Sequence, residues 1–555
     1  VIGAGFDRAT ALAGLTGRRF DVLVVGGGIT GAGVALDAAS RGLRTALVER
    51  GDFASGTSSA SSKLVHGGLR YVSQGELGLV AQALAERQRL LENASHLVRP
   101  LPFVLPLAGG AAAARSVGTA LSLYDLAGGA RIGQVHRRLS VAEARRRVPA
   151  LREDAFGRAY LYLDAHADDA RLTLAVVRTA VLDHGAVAAN HAAVAGLLRG
   201  RTGRVVGARV RSDGEEIEVR ASVVVNSAGV WADGVSGLED ERAGAGTVAT
   251  IRPAKGVHVT VSRSRLPADA AAVLPVPADG RSIFVVPWPG TDRVYVGTTD
   301  TDYDGDLDQP RCTASDVNYL LGAVNAWVAD PLTPAAVVGC WAGLRPLVAA
   351  GAGGAGGRTA DLSRRHRLSR SAGGVVTIIG GKLTTYRRMA ADTVDEVARI
   401  LGAGARNRTA TLRLHGAGAR RPLGPDADGD HLGSRYGTEA ALVRALVDAD
   451  PSLGTPLVDG LPYLRAEAVH AVRHEMARTL EDVLDRRLRA RILARDAAAV
   501  AASDVAALVG PELGWSRADS DAHVAAYRAQ LDAERIAAGL PPGSGDEQLV
   551  HRSAG

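Results

Sequence analysis

Apolar residues in the first part of the chain come in short runs punctuated by glycine. Residues 21–25 form an apolar run that ends in Gly26-Gly27-Gly28, and the alanine-rich stretch 29–40 follows. Residues 45–49 are a second short apolar run. This order predicts strand, tight turn, helix and strand, one βαβ unit in about 30 residues. Residues 1–19 read as a loose polar lead. Residues 75–94 and 169–184 predict helices. Residues 194–219 alternate around Gly203, Gly207 and Gly214 and predict a small antiparallel meander. Residues 223–226 predict a strand ending in Ser227-Ala228-Gly229, while 100–135 are broken by Pro and Gly and give no clear period. The runs 258–261, 283–286 and 294–297 fit a mainly antiparallel sheet. Residues 375–379 read as a buried strand and 382–401 as a helix. Residues 402–434, rich in Gly, Pro and Arg, read as a linker. The patterns at 438–448, 466–478 and 496–509 predict an all-helical end, and no internal repeat is present.

A chain of 555 residues is too long for one ordinary core, so two or three domains are expected. Hydrophobic residues at 46% and charged residues at 22% are ordinary for a globular protein. The net charge of +6 comes from arginines scattered among acids, which reads first as a solvated surface. No basic stretch is interleaved with aromatics, so nothing points to nucleic acid. Two cysteines, Cys312 and Cys340, without a CxxC or a histidine cluster, give no metal site and require no disulfide. No signal peptide and no apolar run of about 18 residues are read, so any membrane contact is expected to be peripheral.

The strongest local signal is the GxGxxG of residues 26–31. Gly26 permits the tight turn, Gly28 lets the backbone approach a pyrophosphate, and Gly31 lets helix and strand pack. Free N–H groups at the helix start, at Ile29 and Thr30, attract phosphate. Glu49, 18 residues after Gly31, ends the second strand where a carboxylate accepts from a ribose diol. A glycine-rich turn in some other α/β protein is the plain alternative. The motif does not by itself separate FAD from NAD; its place near the start of a long chain leans to FAD.

A series of strings then narrows the reading: SGTSSASSKLVHGGLRYV (55–72), DDARL (168–172), VNSAGVW (225–231), KGVHV (255–259), VPW (286–288), VGTTD (296–300), GLRPL (343–347), SRRHRL (363–368) and GGKLTTYRRMA (380–390). In this order they resemble the FAD-dependent glycerol-3-phosphate dehydrogenases, within the D-amino-acid-oxidase-like flavoproteins. Residues 463–491 resemble that family's C-terminal helical domain, so the likeness spans roughly 20–535. It implies an α/β fold: a doubly wound FAD domain (18–99, 150–254, 340–402) interleaved with a mostly antiparallel substrate domain (100–149, 255–339). A linker (403–434) and a helical domain (435–540) follow. It implies oxidation of sn-glycerol 3-phosphate to dihydroxyacetone phosphate, with hydride passing from C2 to the flavin N5 and electrons going on to a membrane quinone. It also implies non-covalent FAD, a homodimer, and a cytoplasmic enzyme held peripherally on the inner face of the plasma membrane. An oxidase using O₂ and giving H₂O₂ is the alternative with the same fold and substrate. Residues 349–357, almost all Ala and Gly, depart from the family pattern.

Holding a phosphate dianion suits arginine, whose planar fork donates two hydrogen bonds. The resemblance points to Arg345, Arg364 and Arg70, with Tyr71 adding a hydroxyl and Lys382 a further cation. A general base suits a group titrating near neutrality, and His258 is the first choice. Arg345 or Lys382 polarising the hydroxyl, with water taking the proton, is the other reading. Gly381, Lys382, Leu383 and Thr384 make a strand–turn–helix that offers a cation and a helix start to charge developing on reduced flavin. Thr57, Ser58, Ser59, Ser61, Ser62 and Lys63 form a loop able to approach the cofactor closely. Arg50, Val194, Ala228, Gly229 and Trp231 complete the expected cofactor contacts. Residues 478–495 carry Arg486, Arg487, Arg489, Arg491 and Arg495 beside apolar positions. They are expected either to lie on anionic lipid as a basic amphipathic helix or to pack inside the helical domain.

Overall fold

The structure is a computed structural model that describes residues 5–73, 75–239, 251–276, 279–348, 366–404, 406–418 and 431–542. The first apolar run becomes strand Arg19–Val25, buried along most of its length. It pairs in parallel with Thr45–Val48 on one side and Glu215–Asn226 on the other. Val187–Ala189 and Val376–Ile379 extend the parallel sheet at either flank, and Arg367–Arg370 adds an antiparallel edge. Helices Ile29–Ser40, Asp169–Leu182 and Tyr386–Leu401 cover it. Nearly all of Ile29–Ser40 is buried, which its Ala and Gly content permits. A Cβ on Gly33 would come within 2.8 Å of the Tyr386 ring.

The expected meander is strands Ala193–Arg199, Val205–Ser212 and the first half of Glu215–Asn226. The predicted strand 223–226 is the second half of that same strand, which leaves the meander to join the parallel sheet. The stretch without a clear period holds strand Val98–Leu107 and helix Ala111–Leu126.

A second sheet is antiparallel except where Ala271–Val276 runs parallel to Val98–Leu107. Its long central pair is Ile251–Ser262 with Val337–Val348. Strand Arg158–Ala167, expected in the cofactor domain, pairs with Val98–Leu107 in this second sheet. Strand Val337–Val348 likewise belongs there, so the boundaries expected at 150 and 340 shift. The physical reason is continuity: each strand pairs over 10 or more residues, and the chain changes layer only at its ends. The switch after Arg158–Ala167 is Asp168, whose side chain accepts from the N–H groups of Ala170 and Arg171 and starts the next helix.

The C-terminal part is helical, through Ala440–Ala449, Arg465–Glu475, Arg495–Leu513 and Arg517–Ala537. The last of these lies inside the expected helical domain, although the sequence pattern did not single it out; it opens with a capping box between Ser516 and Asp519. The basic stretch 478–495 does not present a free face. Leu480, Val483, Leu484, Leu488 and Leu493 are fully buried. Arg487 and Arg489 are also buried, and Arg486 and Arg491 are half-buried. Arg487 forks onto Asp52 at 2.6 and 2.9 Å, Arg486 reaches Asp52 at 2.8 Å, and Arg491 reaches Glu534 at 2.8 Å. The lipid-facing reading of this segment is therefore corrected: its five arginines find acids in the body or within the helical domain, a complementarity that helical period does not reveal. No helix among the described residues is long and apolar enough to cross a membrane.

Removing one partner of a buried ion pair leaves an uncompensated charge. Arg487→Leu is therefore expected to lower the unfolding free energy by about 3 kcal/mol, read from chemical denaturation. Exposed Arg528→Ala should stay within about 0.5 kcal/mol of the parent. Equal midpoints for all three proteins would contradict a stabilising buried network.

Candidate active site

The glycine turn opens one end of a cleft of about 440 Å³. Gly26 has φ +106°, and a Cβ there would lie 2.8 Å from the Ser227 carbonyl oxygen. A Cβ on Gly31 would fall 1.9 Å from the Gly26 carbonyl oxygen, so Gly31 packs the turn and does not face the cleft. Ile29 N–H donates to Ser58 Oγ at 2.8 Å. The Glu49 carboxylate accepts from the N–H of Gly27 at 2.6 Å and of Gly51 at 2.8 Å. The Arg50 guanidinium lies 4.6 Å from the Trp231 ring centroid and pairs with Asp308.

The expected cofactor contacts that line this cleft are Gly26, Gly28, Ile29, Thr30, Glu49, Arg50, Thr57, Ser58, Ser61, Val194, Ala228, Gly229, Trp231, Gly381, Lys382 and Leu383. Ser59, Ser62, Lys63 and Thr384 stand behind it. Ala192, Ala193, Pro346 and Met389 line it without having been singled out. They have ordinary apolar side chains, and only the fold brings them there. A long cleft with a glycine turn and a helix start at one end, a carboxylate at the end of the second strand and hydroxyls along one wall fits a dinucleotide.

Lys63 is fully buried. Its ammonium donates to Asp169 at 3.2 Å and to the Ser59 carbonyl at 3.1 Å, 4.5 Å from the Trp341 ring centroid. Burial pushes its pKa down to about 8, against the pull of Asp169. Asp169 also accepts from Ser61 Oγ at 2.7 Å and from Arg489 at 3.1 Å. Asp169 was legible only as part of the DDARL string.

His258 lies on strand Ile251–Ser262, opposite Gly297 on one neighbour and Trp341 on the other. A Cβ on Gly297 would sit 2.0 Å from His258 Cδ2, so the imidazole occupies the space a side chain there would fill. The ring stacks on Trp341 at 4.6 Å, and Nε2 shares a 2.9 Å hydrogen bond with Ser62 Oγ. Nδ1 is buried and makes no hydrogen bond among the described residues. Burial, then the charges of Lys63 and Arg345, hold the imidazole well below its ordinary value.

Arg345 is half-buried. It donates to Asp300 and to Thr298 Oγ1 at 3.2 Å each, and its Nη2 lies where a Cβ on Gly256 would approach to 2.5 Å. The Lys382 ammonium is 3.9 Å from the Tyr71 ring centroid. Arg364 and the 349–357 stretch lie outside the described residues, as does the side chain of Arg70. Cys312 and Cys340 are buried free thiols. Asp52, His191 and Asp482 converge within 4.8 Å, but Arg486 and Arg487 occupy the carboxylates, so the cluster is an ion-pair network.

A parallel α/β sheet carrying this cleft, joined to an antiparallel second sheet, defines an FAD-type oxidoreductase fold. The sequence model described as FAD dependent oxidoreductase matches residues 21–387, and that of the C-terminal domain of alpha-glycerophosphate oxidase matches 383–520. Glycerol-3-phosphate dehydrogenase 2 of Mycobacterium tuberculosis is 42% identical over 552 residues, covering 96% of this chain and 92% of that protein. The glycerol-3-phosphate dehydrogenase of Mycobacterium leprae is 41% identical with the same coverage. The crystal structure of the glycerol-3-phosphate dehydrogenase from Bacillus halodurans, complexed with FAD, superposes with a TM-score of 0.74 at 30% identity, covering 96% of this chain and 97% of that one. The chain belongs to the FAD-dependent glycerol-3-phosphate dehydrogenases.

The depressed imidazole fixes a sign. A group whose pKa lies below 6.5 stays unprotonated as pH falls through that value. If His258 is the base, kcat/KM for flavin reduction, which reports the groups of the free enzyme, should lose nothing to protonation of the base between about pH 8 and about pH 6 once the ionisation of the substrate's own phosphate is allowed for. A fall centred near pH 6.5 after that allowance would contradict a depressed imidazole acting as the base. Arg345→Ala should lose roughly 2–4 kcal/mol in kcat/KM with FAD content kept, the span for a charge-assisted contact to a dianion. Unchanged kcat/KM would remove Arg345 from the site.

Proposed function

We propose that the protein oxidises sn-glycerol 3-phosphate to dihydroxyacetone phosphate, holds FAD non-covalently in the 440 Å³ cleft, and passes electrons to a membrane quinone. The observation that carries the substrate reading is the neutral buried imidazole of His258 beside the cation Arg345. When bound, FAD supplies a two-electron acceptor. Gly26, Gly28, Ile29 and Thr30 would hold its phosphates, Glu49 its ribose, and Lys382 the charge that reduction adds to its ring. Arg345, Lys382, Tyr71, Arg70 and Arg364 would bind and orient the substrate phosphate. In the tautomer in which Nε2–H donates to Ser62 Oγ, His258 Nδ1 is an acceptor and would take the proton from the C2 hydroxyl.

In this reading the enzyme is a cytoplasmic homodimer that visits anionic lipid at the inner face of the plasma membrane. Since the apolar face of residues 478–495 packs inside the protein and Arg486, Arg487, Arg489 and Arg491 are paired with acids, another surface makes that contact. Use of O₂ as the acceptor is the second reading, and the glycerophosphate-oxidase C-terminal match keeps it in view.

Anaerobic addition of glycerol 3-phosphate should bleach the flavin absorbance of the purified protein. A flavin that stays oxidised would overturn the substrate. In steady state a soluble quinone analogue should be reduced with little peroxide formed. Stoichiometric H₂O₂ with no quinone reduction would assign the protein as an oxidase.

A further inference from the structure

A second cavity, of about 70 Å³, lies where the helical domain meets the body. Its wall takes His96, His166, Asp168 and Arg171 from the body, and Arg435 and Tyr463 from the helical side. It does not share these residues with the cofactor cleft. Five of the six carry a buried group able to donate that makes no hydrogen bond among the described residues. These are His96 Nδ1, His166 Nε2, Arg171 Nε, Arg435 Nε and the Tyr463 hydroxyl. One buried acceptor, Asp168 Oδ2, is in the same condition.

The arginines are partly compensated already. Arg171 donates through Nη1 to Glu475 at 2.7 Å, and Arg435 lies 3.4 Å from Glu467 and 3.8 Å from Asp168. What remains is an excess of donors over acceptors in a buried space. Leaving such groups unmatched costs about 1–3 kcal/mol each, so the cavity is expected to hold something that accepts. Burial above all holds His96 at about 4 and His166 at about 3, so both imidazoles are neutral near pH 7.

We infer that this cavity binds a small tetrahedral oxyanion of the phosphate class, held by Arg171 on one side and by Arg435 and Tyr463 on the other. An anion with several acceptor oxygens satisfies convergent N–H and O–H donors better than water, which brings two protons of its own. The space admits several waters or one such ion. The ligand would bridge the body and the helical domain, so binding favours their docked arrangement. The phosphate could be free in solution or belong to glycerol 3-phosphate.

The test is calorimetric titration of the FAD-loaded enzyme with inorganic phosphate at fixed ionic strength, against chloride. Because the substrate pocket also takes phosphate in the reading above, the titration is repeated on Arg345→Ala. Binding should persist there, and Tm should rise with phosphate and not with chloride. Tyr463→Phe in that background, which keeps the ring 4.7 Å over Arg435, should weaken it about tenfold, the loss of one hydrogen bond to a charged ligand. Glycerol 3-phosphate binding as tightly as inorganic phosphate in Arg345→Ala would support the site and name the substrate as the source. Loss of all phosphate binding in Arg345→Ala, or equal affinity with and without the Tyr463 hydroxyl, would overturn the inference. A crystal structure from sulfate-containing solution with only waters in the cavity would also overturn it.

Discussion

A buried carboxylate shared by two cations organises the rest of the site. Asp169, fully buried at the start of helix Asp169–Leu182, takes Lys63 from the serine loop and Arg489 from the helical domain. Burying one charge is costly, and burying three is tolerated only where geometry and further hydrogen bonds are met. Here they are: Ser61 donates to Asp169, and the Ser59 carbonyl accepts from Lys63 and Arg489. The loop that offers Thr57, Ser58 and Ser61 to the cleft is therefore pinned from behind by elements far away in the chain.

The same loop reaches the proposed base. Ser62 bonds His258 through its hydroxyl and Tyr295 through its carbonyl, and the Trp341 ring contacts both the Lys63 ammonium and the imidazole. Lys63 thus acts twice, fixing the loop and adding to the field that keeps His258 neutral. The glycines of the second sheet have a matching part. Gly297 and Gly256 leave room for His258 and Arg345 to lie across the strands. Strands Ile251–Ser262 and Val337–Val348 keep one register from Ile251 to Thr260, and that stretch carries His258, Trp341 and Arg345.

Much of this was legible in the sequence where local pattern and chemistry coincide. The βαβ unit follows from a strand, a glycine turn and an alanine-rich helix, each set by nearby residues. The antiparallel meander follows from alternation around glycines. Residues 158–167 lie in the range expected for the cofactor domain, yet as strand Arg158–Ala167 they pair in the second sheet, because partner choice depends on distant residues and has no local signature. The basic segment 478–495 was misread in one of its two readings for a related reason. Its charge is visible locally, whereas Asp52, Asp169 and Glu534, which neutralise it, come from three other parts of the chain. Ser62 and Lys63 were expected at the cofactor and stand instead behind the cleft, one holding His258 and the other Asp169. Their proximity to Ser58 in sequence says nothing about which way a left-handed turn at Lys63, φ +57°, sends them.

The central claim is that the charge on Asp169 positions the site as well as stabilising the fold. The direct measurement is the anaerobic rate of flavin reduction in Asp169→Asn, which keeps shape and removes charge, with FAD content and denaturation midpoint followed alongside. With Lys63 and Arg489 left facing each other, the account predicts that bound FAD reduces at least about tenfold more slowly at saturating substrate, beyond any loss of stability. A variant that is less stable yet reduces its FAD at the parent rate would contradict it and leave the cluster a purely structural one.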